Sequence, residues 1–401
     1  MLRAFSVSAL VFALAAGTAG AGTGSLHSRL ARTLHVKGLV AASSTAMVVS
    51  LPTGHVVFAR NSDLPLEPAS NEKLGVTFAA LNDLGPSYRY PTEVLGEGHR
   101  SGDTWVGRLV LKGFGDPALT SADLNRLAGI LWREGIRRVT GGVAGDASAF
   151  DSDHTAPGWL PSFAGIESPP LSALIVDRGA RNGYLVANPP LAAAARFDQL
   201  LHKRGIQARG ATIGKAWPRS AVLATIYSPP LSEIIEFMDH WSDNFTAEMV
   251  LKTLGYKMLG RGTTAAGAGV VRRDLASAGV PLRGVRIVDG SGLSRLDRVT
   301  ASELTTLLVR IWNDPPMRRV VWASLPVAGQ AGTLENRFLD TPHRSLVRAK
   351  TGTTDIASAL SGYVGRRYAF VAIENGEPVD YWAAHESEDG LVEALLAEVA
   401  G

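Results

Sequence analysis

Residues 68–74 read Pro-Ala-Ser-Asn-Glu-Lys-Leu, and this stretch places Ser70 and Lys73 three positions apart. From Asn71 onward the apolar residues recur with helical spacing, so we expect the serine and the lysine on one helical face. Ser70 would open that helix, where free backbone N–H groups and the positive end of the helix dipole lie. The stretch therefore predicts a serine nucleophile with an amine base beside it.

Two further short motifs follow along the chain. Residues 242–244 read Ser-Asp-Asn, and residues 350–353 read Lys-Thr-Gly-Thr. Each pattern alone is as easily a helix cap or a turn. Their order, with the third motif (Lys-Thr-Gly) inside a predicted strand, favours one joint site of the kind found in penicillin-binding proteins and class A β-lactamases.

Each motif offers a distinct chemical role. A lysine near a second cation loses part of its proton affinity, so Lys73 could be the base for Ser70 and Lys350 the second charge. Ser242 could relay the proton to a leaving amine. Asn244 could hold a substrate amide.

The third motif could bind the substrate at the edge of a sheet. Lys350 and the hydroxyl of Thr351 suit a carboxylate, and Gly352 leaves room for a substrate strand. The backbone N–H groups of Ser70 and Thr353 would form an oxyanion hole.

The composition is that of a large folded protein. The chain has 401 residues, of which 46% are hydrophobic and 19% charged, so we expect two domains, or one with a large insertion, and a sizeable core. The net charge is only +3, and the sequence has no block of like charges, so a nucleic-acid partner is not expected. The absence of cysteine excludes thiol nucleophiles, disulfides and zinc-thiolate sites.

The first 21 residues predict a signal peptide. Arg3 is the only charge before Arg29, residues 4–16 are apolar, and residues 19–21 offer small side chains for cleavage. The apolar run is shorter than the ~20 residues that a membrane span needs, although a retained anchor or a buried helix stays an alternative. We therefore expect an exported, periplasmic or extracytoplasmic protein without a stable membrane span.

Both ends of the chain are predicted to build one sheet. Alternating residues predict strands near 46–51 and 55–60, and again at 346–351, 357–364 and 368–374. The predicted helices are 26–39, 71–84, 121–134 with Ser121 as N-cap, 191–203, 229–259, 263–278, 301–312 and 391–399, with a short strand at 285–288. We expect a catalytic domain formed by residues 22–90 and 227–401, with residues 91–226 inserted.

Around these motifs the chain resembles the low-molecular-mass penicillin-binding proteins of the D-alanyl-D-alanine carboxypeptidase/endopeptidase family (penicillin-binding protein four type). The similar segments are residues 68–74, 111–117, 141–146, 156–159, 175–178, 241–245, 289–295, 325–329, 332–334 and 350–353. The resemblance implies an α/β, penicillin-recognising serine transpeptidase-like (β-lactamase-like) domain. Its central antiparallel sheet would be flanked by helices, and a smaller α+β domain would be inserted.

The resemblance also implies the activity. Ser70 would form an acyl-enzyme with peptidoglycan stem peptides ending in D-Ala-D-Ala, and the enzyme could also be a D,D-endopeptidase on cross-links. β-Lactam antibiotics would be covalent inhibitors, and no metal or cofactor is implied. Arg295 would border the substrate, with a surface arginine as the equal alternative, and the oligomeric state stays open.

Two departures from the family pattern matter. The interval from Ser70 to Ser242 is short, so a second inserted domain is not expected. Residues 160–167 replace an acidic and aromatic stretch near the substrate side chain, where Phe163 or Glu167 could substitute or simply pack in the loop.

Other functions use the same residues. A β-lactamase needs a deacylating glutamate, and Glu167 lacks the asparagine that usually follows in that loop. A sensor would capture β-lactam or muropeptide without turnover, and a D-aminopeptidase or an esterase is a further alternative. Carboxylate recognition through Lys350 and Thr351 favours the carboxypeptidase.

Overall fold

The computed structural model describes residues 25–181 and 183–400. The predicted signal peptide at residues 1–21 lies outside these ranges. Among the helices that the structure describes, none is both long enough and apolar enough to cross a bilayer.

Helices and strands alternate in the described part of the chain. The helices are α1 (Leu26–Thr33), α2 (Lys73–Asp83), α3 (Ser121–Arg133), α4 (Pro189–Lys203), α5 (Leu231–His240), α6 (Asn244–Leu259), α7 (Thr264–Ser277), α8 (Ala301–Asn313), α9 (Pro315–Ser324) and α10 (Tyr381–Ala400). The strands are β1 (Ser44–Ser50), β2 (Val56–Arg60), β3 (Pro91–Ser101), β4 (Thr104–Gly113), β5 (Arg138–Val139), β6 (Val143–Asp146), β7 (Ala180–Arg181), β8 (Tyr184–Leu185), β9 (Ala211–Ile213), β10 (Ala221–Tyr227), β11 (Val347–Thr353), β12 (Ala357–Val364) and β13 (Tyr368–Asn375).

The first sheet has five antiparallel strands in the order β11-β12-β13-β1-β2. β1 pairs with β13, so the two ends of the chain meet at the middle of the sheet, as predicted. Successive strand residues point to opposite faces. Met47 and Val49 therefore pack against a core with helices α2 and α5 to α9, and Ala46 and Val48 pack against one with α1 and α10. The predicted antiparallel sheet between helices is confirmed.

A second sheet forms between α2 and α5. Its order is β10-β3-β4-β6-β9, with β5 beside β4, and it mixes antiparallel and parallel pairs. The helices α3 and α4 pack on it around Leu127 and Phe197. We call this part, residues 91–227, the inserted region.

The predicted helix over residues 229–259 is wrong in one important place. Two helices, α5 and α6, replace it, and the chain breaks between them at Trp241–Asp243. Ser242 has a φ of 57°, in the left-handed region that a side chain with a Cβ seldom occupies. Asp243 then caps α6 by accepting a hydrogen bond from Thr246 N at 2.7 Å.

Other helices and strands also differ from their predicted bounds. α3 is capped by Thr120 and Asp123 in a capping box, rather than by Ser121. The predicted strand at residues 285–288 is reduced to one bridge between Arg286 and Arg298. The predicted first helix is shorter, α10 begins earlier than predicted, and α9 was not predicted.

Candidate active site

The candidate nucleophile lies in a tightly packed turn. Ser70 belongs to the 3-10 turn Ala69–Glu72, which runs directly into α2. Gly292 presses on this turn from the loop after α7, and a Cβ placed on Gly292 would lie 1.8 Å from the carbonyl oxygen of Ala69. Gly292 also has a φ of 80°, so both space and backbone conformation require glycine there.

Lys73 is fully buried at the first turn of α2. Its Nζ donates to Ser70 Oγ at 2.8 Å, to Asn244 Oδ1 at 2.8 Å and to the carbonyl oxygen of Ser291 at 2.6 Å. An ammonium group has three protons, so all three are used. The structure thus brings the first and second motifs together at one nitrogen.

Burial is the main reason why the amine of Lys73 can lose its proton. It lowers the pKa of Lys73 to about 8, although nearby carboxylates, Asp289 first, act to raise it. The cause predicted from the sequence, a second cation, is therefore not the main one. The mutual effect is visible instead at Lys350, where burial first and the Lys73 cation second hold the pKa well below its usual range.

Lys350 joins the second and third motifs. It is fully buried on β11, and its Nζ donates to Ser242 Oγ and to the carbonyl oxygen of Thr351, each at 2.8 Å. The left-handed conformation of Ser242 brings its hydroxyl to this lysine. Beneath them, Asp239 accepts hydrogen bonds from Thr77 and Ser324, and burial raises the pKa of Asp239 to about 6.

The strand β11 is an edge strand of the first sheet, next to the nucleophile turn, and residues 326–328 pair with its first half only. A Cβ on Gly352 would lie 3.0 Å from the backbone N of Ser70 and 2.8 Å from the carbonyl oxygen of Pro68. Glycine therefore lets the strand approach the turn closely. Thr351 donates to Thr333 Oγ1 at 2.8 Å, and Thr353 is exposed at the end of the strand. An edge strand can pair with an extended peptide.

Arg295 lies at the margin of this arrangement. It is partly exposed and forms an ion pair with Asp355. Among the hydrogen bonds of the described chain, none joins the Arg295 side chain to a residue of the three motifs. Its predicted place beside the substrate stays a prediction.

Sequence reasoning missed the buried carboxyl groups around the lysine. Asp289 accepts hydrogen bonds from Gly292 N at 2.7 Å, Ser294 N at 2.8 Å and Trp159 Nε1 at 2.8 Å. It therefore shapes the loop whose Ser291 carbonyl binds Lys73. The Asp-Gly pair that opens this loop is a turn signal that could have identified the loop.

Glu248 supports the same loop from α6. One oxygen of Glu248 accepts from Gly290 N at 2.9 Å and from Ser291 N at 2.8 Å, while burial raises its pKa to about 8. Burial also raises the pKa of Glu303 to about 8 and that of Glu72 well above its usual range. Across the described residues, no three histidine, aspartate or glutamate side chains converge as a metal site would require.

The chain is similar to known proteins over most of its length. A model of the D-Ala-D-Ala carboxypeptidase 3 (S13) family matches residues 26–187 and 180–398. A D-alanyl-D-alanine carboxypeptidase of an Actinomadura species is 31% identical over 448 positions, covering 90% of this chain and 82% of the relative. A carboxypeptidase DacB of Mycolicibacterium smegmatis is 31% identical and covers 82% and 76%, respectively.

Solved structures show the same fold. Penicillin binding protein 4 of Haemophilus influenzae superposes with a TM-score of 0.82 at 22% identity, over 92% of this chain and 99% of that one. A predatory peptidoglycan endopeptidase of Bdellovibrio bacteriovorus superposes with a TM-score of 0.59 at 15% identity, over 88% and 91%. These likenesses confirm the predicted fold class.

Proposed function

The chain belongs to the D-Ala-D-Ala carboxypeptidase 3 (S13) family of serine peptidases, and from that premise we propose that Ser70 is its acylated nucleophile. The substrate is a peptidoglycan stem peptide ending in D-Ala-D-Ala. The main support is the contact of Lys73 Nζ with Ser70 Oγ at 2.8 Å, because a buried amine with a lowered pKa is a suitable base.

In the acylation step, neutral Lys73 takes the hydroxyl proton of Ser70 while Oγ attacks the carbonyl carbon of the penultimate D-Ala. The backbone N–H groups of Ser70 and Thr353 stabilise the oxyanion. As the C–N bond breaks, Ser242 relays this proton from Lys73 to the leaving amine, so Lys73 becomes neutral again and Ser242 keeps its hydroxyl group. Lys350 orients Ser242 by donating a hydrogen bond to its Oγ. Water then hydrolyses the ester and frees Ser70.

The remaining motif residues hold the peptide. Lys350 and the hydroxyls of Thr351 and Thr333 bind the terminal carboxylate, and the peptide lies along β11 beside Gly352. Asn244 holds the substrate amide, and Arg295 borders the site. A cross-link with a carboxylate at the same position fits this arrangement, so we include D,D-endopeptidase activity in the proposal.

β-Lactams would acylate the same serine and leave slowly. The residue that a β-lactamase would use is Glu167, whose side chain is exposed. Its backbone carbonyl, rather than its carboxylate, accepts a hydrogen bond from Asn244 Nδ2 at 3.1 Å. This contact favours a carboxypeptidase that β-lactams inhibit over an enzyme that destroys them.

We also propose that the protein works outside the cytoplasm. Its substrate is a cell-wall polymer, and residues 1–21 have the pattern of a signal peptide. Expression with a C-terminal tag, followed by N-terminal sequencing of the exported protein, should give a start near Gly22. Retention of residues 1–21 in the cell fraction would contradict export with cleavage.

The activity is tested with three matched peptides: a stem pentapeptide ending in D-Ala-D-Ala, the same peptide with a C-terminal amide, and one ending in D-Ala-L-Ala. Cleavage of the terminal bond would release D-Ala, D-alaninamide and L-Ala, respectively. We expect release of the terminal residue from the first peptide only, because the amide lacks the carboxylate and the third peptide lacks the D-configuration. Equal release from the amide would contradict carboxylate recognition. Cleavage of a cross-linked muropeptide dimer, followed by mass spectrometry, measures the endopeptidase activity beside it.

A further inference from the structure

The helix that bears the second motif packs against the inserted region. Phe245 and Met249 of α6 are fully buried there. Their apolar neighbours from the inserted region are Ala149, Phe150, Leu171, Ala173 and Ile175. Lys252, one turn further on, donates to Asp151 Oδ1 at 2.5 Å. The inserted region therefore packs against one face of α6, while Val250 and Leu254 on another face pack in the core with α2 and α7.

Arg178 of the inserted region contacts the second motif directly. Its Nη1 and Nη2 donate to the two carboxylate oxygens of Asp243, at 3.2 Å and 2.7 Å, and its guanidinium lies 4.8 Å from the ring centroid of Phe245. A planar guanidinium that binds both oxygens fixes the orientation of a carboxylate. Arg178 thus contacts both neighbours of Asn244.

The backbone that presents Arg178 is held in an unusual conformation. Asp177 and Arg178 are consecutive non-glycine residues in the left-handed region, with φ of 49° and 54°. The Asp177 carboxylate accepts hydrogen bonds from the backbone N of Ser121, at 2.8 Å, and from its hydroxyl. Such conformations persist where surrounding contacts impose them, and they cluster at functional sites.

We propose that Arg178 is a positioning residue for acylation, acting through Asp243 on the residues at either side. The inference rests on the proposed acyl transfer to Ser70. Asn244 accepts from Lys73, and Ser242 accepts from Lys350, each at 2.8 Å. A shift of Asp243 would therefore disturb both lysines at once.

Arg178 makes no hydrogen bond to either lysine or to Ser70 within the described chain. A substitution of Arg178 therefore keeps both the nucleophile Ser70 and the base Lys73, and changes only how they are aligned with each other. Small misplacements of reacting groups cost up to about a hundredfold in rate, so we expect Arg178→Gln to slow acylation about tenfold to a hundredfold. The dissociation constant of the initial complex should change less, because the third motif still binds the carboxylate.

The test measures acylation of the full chain by a fluorescent penicillin, resolved into the initial dissociation constant and the acylation rate constant. The variants are Arg178→Gln, Arg178→Lys, Asp243→Asn and the double variant Arg178→Gln/Asp243→Asn. Asparagine caps helices as well as aspartate does, so Asp243→Asn removes the ion pair and keeps the cap. The control is Arg273→Gln, which breaks the ion pair of Arg273 with Asp83 and Asp274 elsewhere on the molecule.

We expect the acylation rate constant to fall in the order wild type, Arg178→Lys, Arg178→Gln, while all variants keep similar unfolding temperatures. The acylation rate constant of Arg273→Gln should equal that of wild type. The double variant should lose no more than the worse single variant, because both changes break one contact. If the losses in acylation rate of the two single variants multiplied in the double variant, or if Arg178→Gln kept the wild-type rate, the inference would be overturned and the proposed function would stand. A wild type that is not acylated at all would contradict the proposed function and this inference together.

Discussion

The two sides of the active site are built in different ways. On the sheet side, Lys73 and Lys350 are fully buried, and each donates to a serine hydroxyl and to a backbone carbonyl. On the inserted side, apolar packing against α6 is joined by polar contacts, among them the partly exposed pair of Arg178 and Asp243. In the proposed mechanism, the sheet side supplies the reacting groups, and the inserted side aligns them.

This division has a physical reason. A dry environment lowers the pKa of an amine, and the compact sheet with helices on both faces provides it. Alignment needs a rigid contact rather than burial, and a second region can provide this contact without a reacting group of its own. Variants on the sheet side should therefore change the chemistry, and those on the inserted side should change its geometry.

The largest effect should come from the base itself. Lys73→Met keeps most of the side-chain volume but removes the amine, so acylation by penicillin should slow by about 10³-fold or more. Lys257→Met, on the same helix as Asn244 but at the surface, is the control and should react like wild type. Acylation of Lys73→Met within tenfold of wild type would show that the sheet side does not supply the base.

A second variant tests whether the nucleophile turn must be so tightly packed. Gly292→Ala would place a Cβ 1.8 Å from the Ala69 carbonyl oxygen and push the turn away, so we expect about a hundredfold slower acylation. Gly54→Ala is the matched control, because Gly54 has a φ of 71° but no atom within 4 Å of its Cβ position. It should lose stability by about 1–2 kcal/mol and keep its acylation rate. Equal acylation by both variants would contradict the packing argument.

The pH dependence should report on Lys73. In the proposed mechanism the neutral amine of Lys73 is the base. Burial lowers the pKa of Lys73 to about 8, so protonation would remove the base as the pH falls. The acylation rate constant should drop about tenfold for each pH unit below pH 8 and level off above it. Stopped-flow measurements across this range, with circular dichroism as a check of folding, would decide. A flat profile would contradict Lys73 as base.

The smallest effect should come from the margin of the site. Arg295 is partly exposed and paired with Asp355, and such surface pairs contribute about 0–1 kcal/mol to the free energy of unfolding. Arg295→Ala should therefore leave the unfolding temperature almost unchanged and slow D-Ala release by no more than about fivefold. A much larger rise in KM would show direct contact between Arg295 and the peptide.

The sequence predicted the strands and helices better than the break between α5 and α6. Helical spacing placed Ser70 and Lys73 together, and the alternation of apolar and polar residues located the strand that carries Lys350. No glycine or proline marks the break at Ser242. Its left-handed conformation instead goes together with a hydrogen bond from Lys350, on the other side of the site. Such a contact joins residues far apart in the sequence, so local patterns cannot predict it.

The cause of the lowered pKa of Lys73 was also hidden from the sequence. A second lysine was a local chemical explanation, whereas burial depends on how α2, α6 and the loop after α7 pack together. The role of Asp289 likewise depends on Trp159, which lies in the inserted region. Properties that depend on tertiary packing became visible only in the structure.

The most direct test of the central claim is intact-mass analysis of wild type and Ser70→Ala after incubation with a β-lactam, beside an assay of D-Ala release from a pentapeptide. We predict one β-lactam added to wild type, none added to Ser70→Ala, and D-Ala released by wild type only. An adduct that persists in Ser70→Ala, or a wild type that neither forms an adduct nor releases D-Ala, would contradict the account.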